Sequence, residues 1–298
     1  MDSVEVQFIH AEPTLKDALK GLGFSGQKIK KYLPAKLLQK TVRERDVFKL
    51  PIDLVNNLEI NPSYEGTECS VLFENENYLA VHKPPFIHSH PLQYSDKNTV
   101  LNFLVTQNRW ASLNINKSNY DRGLLHRLDF ETSGLLLLTK KEELLSSLRE
   151  NFNYQMKRKV YLAIVEGIFD KDGFHRQTFA SYGTKGEKQV LSSSFDAQIA
   201  ESEIYLLEKL ENNKSLVMVI LKTGIRHQIR AQLSSLGFPI VGDTLYGGTE
   251  SDRLYLHSWL YEWEITVEDR KPELFSNFLN LDRAFEMASD KLRILKSR

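Results

Sequence analysis

The chain has 298 residues, of which 41% are hydrophobic and 26% charged, a composition that builds a full hydrophobic core and excludes a disordered or fibrous chain. Thirty-nine Lys and Arg balance 39 Asp and Glu, so no global attraction to nucleic acid exists and any polyanion site has to be a local patch. Cys69 is the only cysteine, which excludes an internal disulfide framework and an all-cysteine metal site and fits a reducing compartment.

The opening Met1-Asp2-Ser3-Val4-Glu5 lacks the basic start and apolar stretch of a signal peptide. No apolar run approaches the roughly 20 residues of a membrane span. The expected setting is therefore cytoplasmic, with no membrane partner. Between Glu12 and Lys49 the charge balance shifts to ten Lys and Arg against four acids. Leu15, Ala18, Leu19 and Leu22 recur at helical spacing, and Ser25 can cap a second helix carrying Ile29, Tyr32 and Leu33 up to Pro34. Two short helices joined at Gly23-Phe24 form a helix-turn-helix unit with lysines outward, among them Lys28, Lys30 and Lys31. A solvated basic face and an RNA-docking face both fit that charge. Pro51, Pro62 and Gly66 mark a linker, which divides the chain into residues 1–66 and 67–298.

From Ser70 a new core begins. Val71-Leu72-Phe73 and Tyr78-Leu79-Ala80-Val81 flank the acidic turn Glu74-Asn75-Glu76-Asn77, and Pro84-Pro85 end the second strand because they lack amide hydrogens. His88 and His90 stand two apart, as metal ligands can, yet no third ligand lies at a recognisable spacing. A helix is expected from Thr99 and a surface loop over Ser112 to Tyr120. Gly123 to Gly134 then carries His126, Arg127, Asp129, Glu131, Thr132 and Ser133 directly into Leu135 to Leu138. A polar loop feeding four leucines is a local conflict of the kind found at functional sites. The leucines predict a buried strand, with Thr132 to Gly134 making the turn and Asp129 standing at a rigid edge.

Leu144, Leu145, Leu148 and Phe152 share one helical face. Lys157-Arg158-Lys159 lead into a strand, Val160 to Val165, in which the Tyr161 phenol is open to core packing and to a site role alike. Residues 167–203 read as loops and edge strands. Leu216 to Leu221 is a further buried strand. A helix follows from Arg226, packed through Ile229, Leu233 and Leu236 and stopped by Gly237. Arg226 and Arg230, four apart, share a face near its start, where the dipole offers cations nothing, so an inward carboxylate or a phosphate is needed there. Leu254 to Ile265 alternates Trp259, Tyr261, Trp263 and Ile265 on one side of a strand, and the tail from Thr266 reads as a surface helical segment.

No glycine-rich phosphate loop, metal-ligand cluster or nucleophile elbow occurs, so nucleotide hydrolysis, dinucleotide redox chemistry and metallo-hydrolysis lack their parts. A single aspartate can attack or stabilise an electrophilic sugar carbon without a metal, because the anomeric carbon becomes positive as its bond to the base breaks. A flipped-out nucleoside, an aromatic group beside it and cations for its phosphates complete that chemistry.

The segment His126-Arg127-Leu128-Asp129-x-x-Thr132-Ser133-Gly134 resembles the signature of the RluA family of pseudouridine synthases, which isomerise uridine in ribosomal or transfer RNA. His82-Lys83-Pro84-Pro85 with His90-Pro91, Lys159-x-Tyr161-x-Ala163-x-Val165-x-Gly167, Thr223-Gly224 with His227-Gln228-Ile229-Arg230, Gly237-Phe238-Pro239-Ile240-Val241-Gly242-Asp243 with Tyr246-Gly247, and Leu256-His257 resemble further family motifs in the family's order. Two positions depart: His82 stands for an asparagine, and Ile225 stands where the family usually carries arginine. Upstream, Leu15, Leu19, Leu22, Gly23-Phe24-Ser25, Ile29 and Tyr32 resemble an S4-type RNA-binding module, though its usual second hairpin is not evident over Leu37 to Val55.

The resemblance implies an α/β (α+β) fold, with a mixed, mainly antiparallel central sheet, flanking helices and a catalytic cleft, beside the small N-terminal helical module. It implies Asp129 as the catalytic aspartate, Tyr161 beside the target base and Arg230 as the partner of Asp129. His126, Arg127, Thr132, Arg226, His227, Gln228 and Lys83 are the expected substrate contacts in the main domain, and Lys28, Lys30 and Lys31 those in the module. No metal and no cofactor is implied, RNA is the partner, and a monomer is expected. An RNA-binding protein that has lost catalysis on the same scaffold is the alternative, against which the intact Asp129, Tyr161 and Arg230 argue. A metal-dependent hydrolase using His88, His90 and His126 is a third reading.

Overall fold

The computed structural model describes residues 3–22, 24–56, 59–67, 69–183, 187–271, 278 and 281–297. In the N-terminal region Thr14 caps α1 (Leu15–Gly21) by accepting from the Asp17 amide at 3.2 Å, and Ser25 caps α2 (Gly26–Tyr32) from the Lys28 amide at 3.2 Å. The joint expected at Gly23 lies outside the described residues. After the short α3 (Ala35–Leu38), β2 (Val47–Pro51) pairs antiparallel with β1 (Ser3–Gln7), and α4 (Ile52–Val55) follows. The partner of β2 is thus the start of the chain, and that is why no local hairpin pattern shows. Leu15, Leu19, Ile29, Val42, Leu50 and Leu54, all fully buried, form a core of their own. Asp53 joins this region to the rest by accepting from the Ser95 amide and hydroxyl at 2.7 and 2.8 Å.

The remaining strands are β3 (Ser70–Glu74), β4 (Tyr78–Lys83), β5 (Ser133–Thr139), β6 (Arg158–Glu166), β7 (Gly173–Tyr182), β8 (Lys188–Leu191), β9 (Gln198–Leu210), β10 (Lys214–Leu221), β11 (Leu256–Glu262) and β12 (Thr266–Glu268). Among the described residues they form one sheet in the order β3-β4-β5-β11-β6-β10-β9-β7-β8, with β12 beside β11. Every pairing is antiparallel except β5 with β11, which run parallel for only two pairs, His257 with Ser133 and Ser258 with Gly134. Beyond that junction the two halves diverge, and β12 takes over the flank of β11. Gly134, at φ 118°, is not part of a turn as expected. It lies in β5, where a Cβ would collide with the Ser258 backbone.

The four leucines serve both faces of the sheet. Leu135 and Leu137 join the large core under β6, β10 and β11, while Leu136 and Leu138 join a second core with Val100, Leu101 and Leu104 of α5 (Val100–Thr106). At about 2 kcal/mol per buried leucine side chain, the run anchors the loop before it by several kcal/mol. A short α6 (Trp110–Leu113) occupies the start of the expected surface loop. The amphipathic α7 (Glu142–Glu150) packs Leu145 and Leu148 back on the sheet, ahead of the one-turn α8 (Phe152–Gln155).

Four more expectations change. Residues 167–203 are largely strand, and the thirteen-residue β9 lies inside the sheet between β10 and β7. A bulge between Ser258 and Leu260 takes Trp259 out of step, so Trp259 meets Phe285, its ring centroid 6.0 Å away, while Tyr261 meets His126 at 4.8 Å. The helix α9 begins only at Gln228 (Gln228–Ser235), so Arg226 precedes it. In the tail, α10 (Leu281–Lys296) is no mere surface segment, since Ala284, Phe285, Ala288 and Leu292 are buried in the main core. Among the described residues no helix is long and apolar enough to cross a membrane.

Candidate active site

Where the two sheet halves part, a cleft of about 900 Å³ opens between the loop entering β5 and the segment entering α9. The loop is held at every second residue. His126 Nε2 accepts from the Leu137 amide at 3.2 Å, the Ser89 hydroxyl both donates to the Leu128 carbonyl and accepts from its amide at 3.2 Å, and the Phe130 carbonyl accepts from the Phe86 amide at 2.8 Å and from Lys83 Nζ at 3.2 Å. The Thr132 amide closes the turn on the Asp129 carbonyl at 3.2 Å. Asp129 is therefore presented by fixed backbone, its side chain 28% exposed in the cleft.

Arg230 comes from the opposite wall. Its Nε and Nη2 donate to the two carboxylate oxygens of Asp243 at 2.8 Å each, a bidentate pair, and its Nη1 lies 3.5 Å from Asp129 Oδ2 and 3.7 Å from Glu131 Oε2. Burial opposes the guanidinium charge, but the hydrogen bonds and charge of Asp243, with Asp129 and Glu131 behind them, outweigh it and hold the group above its ordinary range. The anion expected near the start of α9 is thus a set of inward carboxylates gathered around Arg230. Arg226, ahead of the helix, is exposed at the cleft wall, as Arg127 is on the other side.

Tyr161 lines the cleft from β6, its hydroxyl 2.7 Å from that of Tyr261, and burial raises both phenols. His126 stacks between Phe152 and Tyr261, at 5.2 and 4.8 Å. Burial, with Lys159 nearby, pushes its imidazole down to about 3, so the ring is neutral, with Nε2 as acceptor and the proton on Nδ1. His227 faces Asp129 Oδ1 from 3.8 Å. Of the expected residues, then, Asp129, Arg230, Tyr161, His126, Arg127, Arg226 and His227 converge on the cleft.

Four others are used differently. Lys83 is fully buried and spends its ammonium on the carbonyls of Pro84, Ile87 and Phe130, so it braces the loop and cannot reach RNA; burial pushes it down to about 7. Thr132 borders the cleft but is buried, closing the turn through its amide. Gln228 is buried with its amide engaged by Thr223, Ile225, Gln232 and the Glu201 carbonyl, pinning the turn before α9. Lys28 is half-buried and donates to the Asn56 carbonyl at 3.0 Å, leaving Lys30 and Lys31 as the exposed lysines of α2. Ile225 packs on Tyr246, Phe179, Ala200 and Ala231, an apolar seat in which a guanidinium would be stranded. His82, the other departure, pairs its Nδ1 with the buried Asp269 at 2.6 Å.

Sequence reasoning missed Asp243, Tyr246, Tyr261 and Lys159. Asp243 and Tyr246 sit in a glycine-rich turn, a setting that ordinarily explains an acid as a local cap. Lys159 is buried on the cleft wall, donates to the Thr223 carbonyl at 3.2 Å and is pushed by burial down to about 8. His88 lies against Phe130, His90 turns its Nδ1 to the Pro91 carbonyl at 2.8 Å, and among the described residues no three His, Cys, Asp or Glu side chains are grouped to hold a metal ion.

A mixed sheet parted along one short parallel junction, with a cleft over the parting, is the fold of a pseudouridylate synthase. The solved structure of Human RNA Pseudouridylate Synthase Domain Containing 1 shares it, with a TM-score of 0.56 over 71% of this chain and 88% of that one at 21% identity. Residues 77–235 match the family model described as RNA pseudouridylate synthase. The chain is 33% identical over 202 residues to the Ribosomal large subunit pseudouridine synthase D of Borreliella burgdorferi, covering 66% of this chain and 61% of that protein. It is 32% identical over 210 residues to the Dual-specificity RNA pseudouridine synthase RluA of Vibrio cholerae, covering 67% and 78%. The chain belongs to the RNA pseudouridylate synthase family, a family of isomerases.

Proposed function

We propose that this chain isomerises uridine to pseudouridine in ribosomal or transfer RNA in the cytoplasm, with Asp129 at the reacting sugar carbon. The observation that carries this reading is the contact of Asp129 with Arg230 Nη1 at 3.5 Å across the cleft, between groups 101 positions apart in the chain. In the reaction the bond from the sugar C1′ to N1 breaks, the released uracil turns within the cleft, and C5 joins C1′. C5 gives up its hydrogen and N1 gains one, so no atom is lost and no external reagent is consumed. As the bond to N1 breaks, C1′ becomes positive, and a fixed carboxylate beside it lowers the barrier.

Arg230 keeps the carboxylate in place, and Tyr161, its hydroxyl tied to Tyr261, offers a flat ring to the retained base. Arg127, Arg226 and Lys159 supply positive charge around the cleft for the flanking phosphates, and Lys30 and Lys31 extend it onto the N-terminal module, which we read as S4-like. The test is to map pseudouridine in ribosomal and transfer RNA from cells carrying the native chain, Asp129→Asn, or no copy. At least one site is expected in the first and in neither of the others. Full modification by Asp129→Asn, with RNA affinity retained, would sink the assignment of Asp129. A map unchanged by deletion would point instead to an RNA-binding protein without catalysis.

A further inference from the structure

His227 occupies an unusual place for a histidine. It stands immediately before α9 in the left-handed region, at φ 53°, where non-glycine residues are uncommon and mildly strained. That twist directs its ring into the cleft with the side chain only 8% exposed. Nε2 lies 3.8 Å from Asp129 Oδ1, while Arg230 Nη1 holds the other oxygen, Oδ2, from 3.5 Å. The ring's second nitrogen is 3.2 Å from the Tyr246 hydroxyl. That hydroxyl accepts from the Gln189 amide at 2.7 Å, which leaves its own hydrogen free to be donated to Nδ1. The chain of donors runs from the Gln189 amide through Tyr246 to His227 Nδ1, and it leaves the proton of the neutral ring on Nε2, facing Asp129.

We propose that His227 is a positioning residue that holds Asp129 Oδ1, with its tautomer set by Tyr246. The inference rests on the reading of Asp129 as the reacting carboxylate. With Arg230 on one oxygen and His227 on the other, the carboxylate is kept from rotating about its Cβ–Cγ bond. At 3.8 Å the pair is longer than a hydrogen bond and acts as an electrostatic contact that orients Oδ1. The ring is neutral because burial lowers its pKa. Asp129 and Asp243 pull it the other way, and Arg230 and Arg226 add to the lowering. Bearing its hydrogen toward Asp129, Nε2 cannot accept the proton that C5 releases, so the arrangement assigns His227 to orientation and not to base catalysis.

The experiment compares the native chain with His227→Ala, His227→Gln and Tyr246→Phe. Modification is followed on ribosomal and transfer RNA from cells lacking the chain, and the ¹⁵N spectrum of histidine-labelled protein is recorded, the His227 signals being those lost in His227→Gln. Gln carries an amide N–H near the place of Nε2. His227→Ala is expected to lower kcat by about 10- to 100-fold with KM within about twofold, and His227→Gln to recover most of it. The spectrum is expected to show hydrogen on Nε2 in the native chain and to lose that preference in Tyr246→Phe. Native kcat in His227→Ala, no recovery in His227→Gln, or hydrogen on Nδ1 in the native chain would each overturn the inference. If the native chain makes no pseudouridine, the uridine reading fails by itself, and the tautomer then decides the inference alone.

Discussion

Replacing Asp243 by Asn isolates the arrangement that holds Arg230. In the native chain the two side chains are 0% and 6% exposed and joined by two bonds of 2.8 Å. Asparagine keeps one acceptor oxygen but sets an NH₂ against the second guanidinium N–H and removes the neutralising charge. Breaking a buried pair by removing one partner costs about 3–5 kcal/mol. Here the guanidinium keeps Asp129 and Glu131 at 3.5 and 3.7 Å, both partly exposed, so the lower end applies. At a loss of about 3 kcal/mol and about 2–4 °C per kcal/mol, Tm should fall by about 6–12 °C. Urea unfolding followed through the buried Trp259 and Trp263 reads the same loss directly. Because the stranded charge is the cause, adding Arg230→Met to Asp243→Asn should regain part of the stability while leaving the enzyme inactive. A single variant within about 0.5 kcal/mol of the native chain, the range of an ordinary surface substitution, or a double variant weaker than the single one, would refute the argument.

Further outcomes follow from the same physics. His126 and His257 are held neutral by burial, their pKa values lowered from 6.5 to about 3 and about 4; below pH 6.5 the unfolded chain takes up protons that the folded chain refuses, so stability is full above 6.5 and declines toward 4. Urea titrations at pH 7 and pH 5 should differ by on the order of 2 kcal/mol for each of these two groups, and His257→Gln should remove its share of that difference. Gly134→Ala places a methyl group against the Ser258 backbone at a φ of 118°, and a loss of about 3 kcal/mol or more should appear as insoluble or low-melting protein; a native-like Tm would mean that the junction of β5 with β11 is looser than described. Lys30→Gln with Lys31→Gln should lower the slope of log affinity for single-stranded RNA against log salt by about 1.4, or about 0.7 per lysine, whereas Lys28→Gln, whose ammonium is bonded to Asn56, should leave the slope unchanged in filter-binding assays.

Much of the chemistry was legible because its signals are local. The polar loop running into Leu135 to Leu138 marks a carboxylate held at the entry of a buried strand, and alternation and helical spacing locate β4, β5, β6, β10 and α9 to within a residue or two. Motif order carried the family. Where the sequence misled, the deciding contact was distant. Lys83 and Gln228 look like surface ligands by residue type, yet the first is enclosed by loop carbonyls and the second by a turn. Lys28 looks equivalent to Lys30 and Lys31 until α4 folds beside it.

By itself, then, the sequence determined most of the elements and the family and singled out Asp129 as the candidate carboxylate, since each signal lies in residues close together along the chain. Only the tertiary structure decided what surrounds that carboxylate besides Arg230. Arg230 and His227 meet Asp129, with Asp243 and Tyr246 behind them, because β5 and β11 touch for two residues and then part, opening a cleft between segments about a hundred positions apart. No periodicity encodes that parting. It follows from a glycine that lets two backbones approach, and from a buried aspartate that turns one arginine toward another carboxylate.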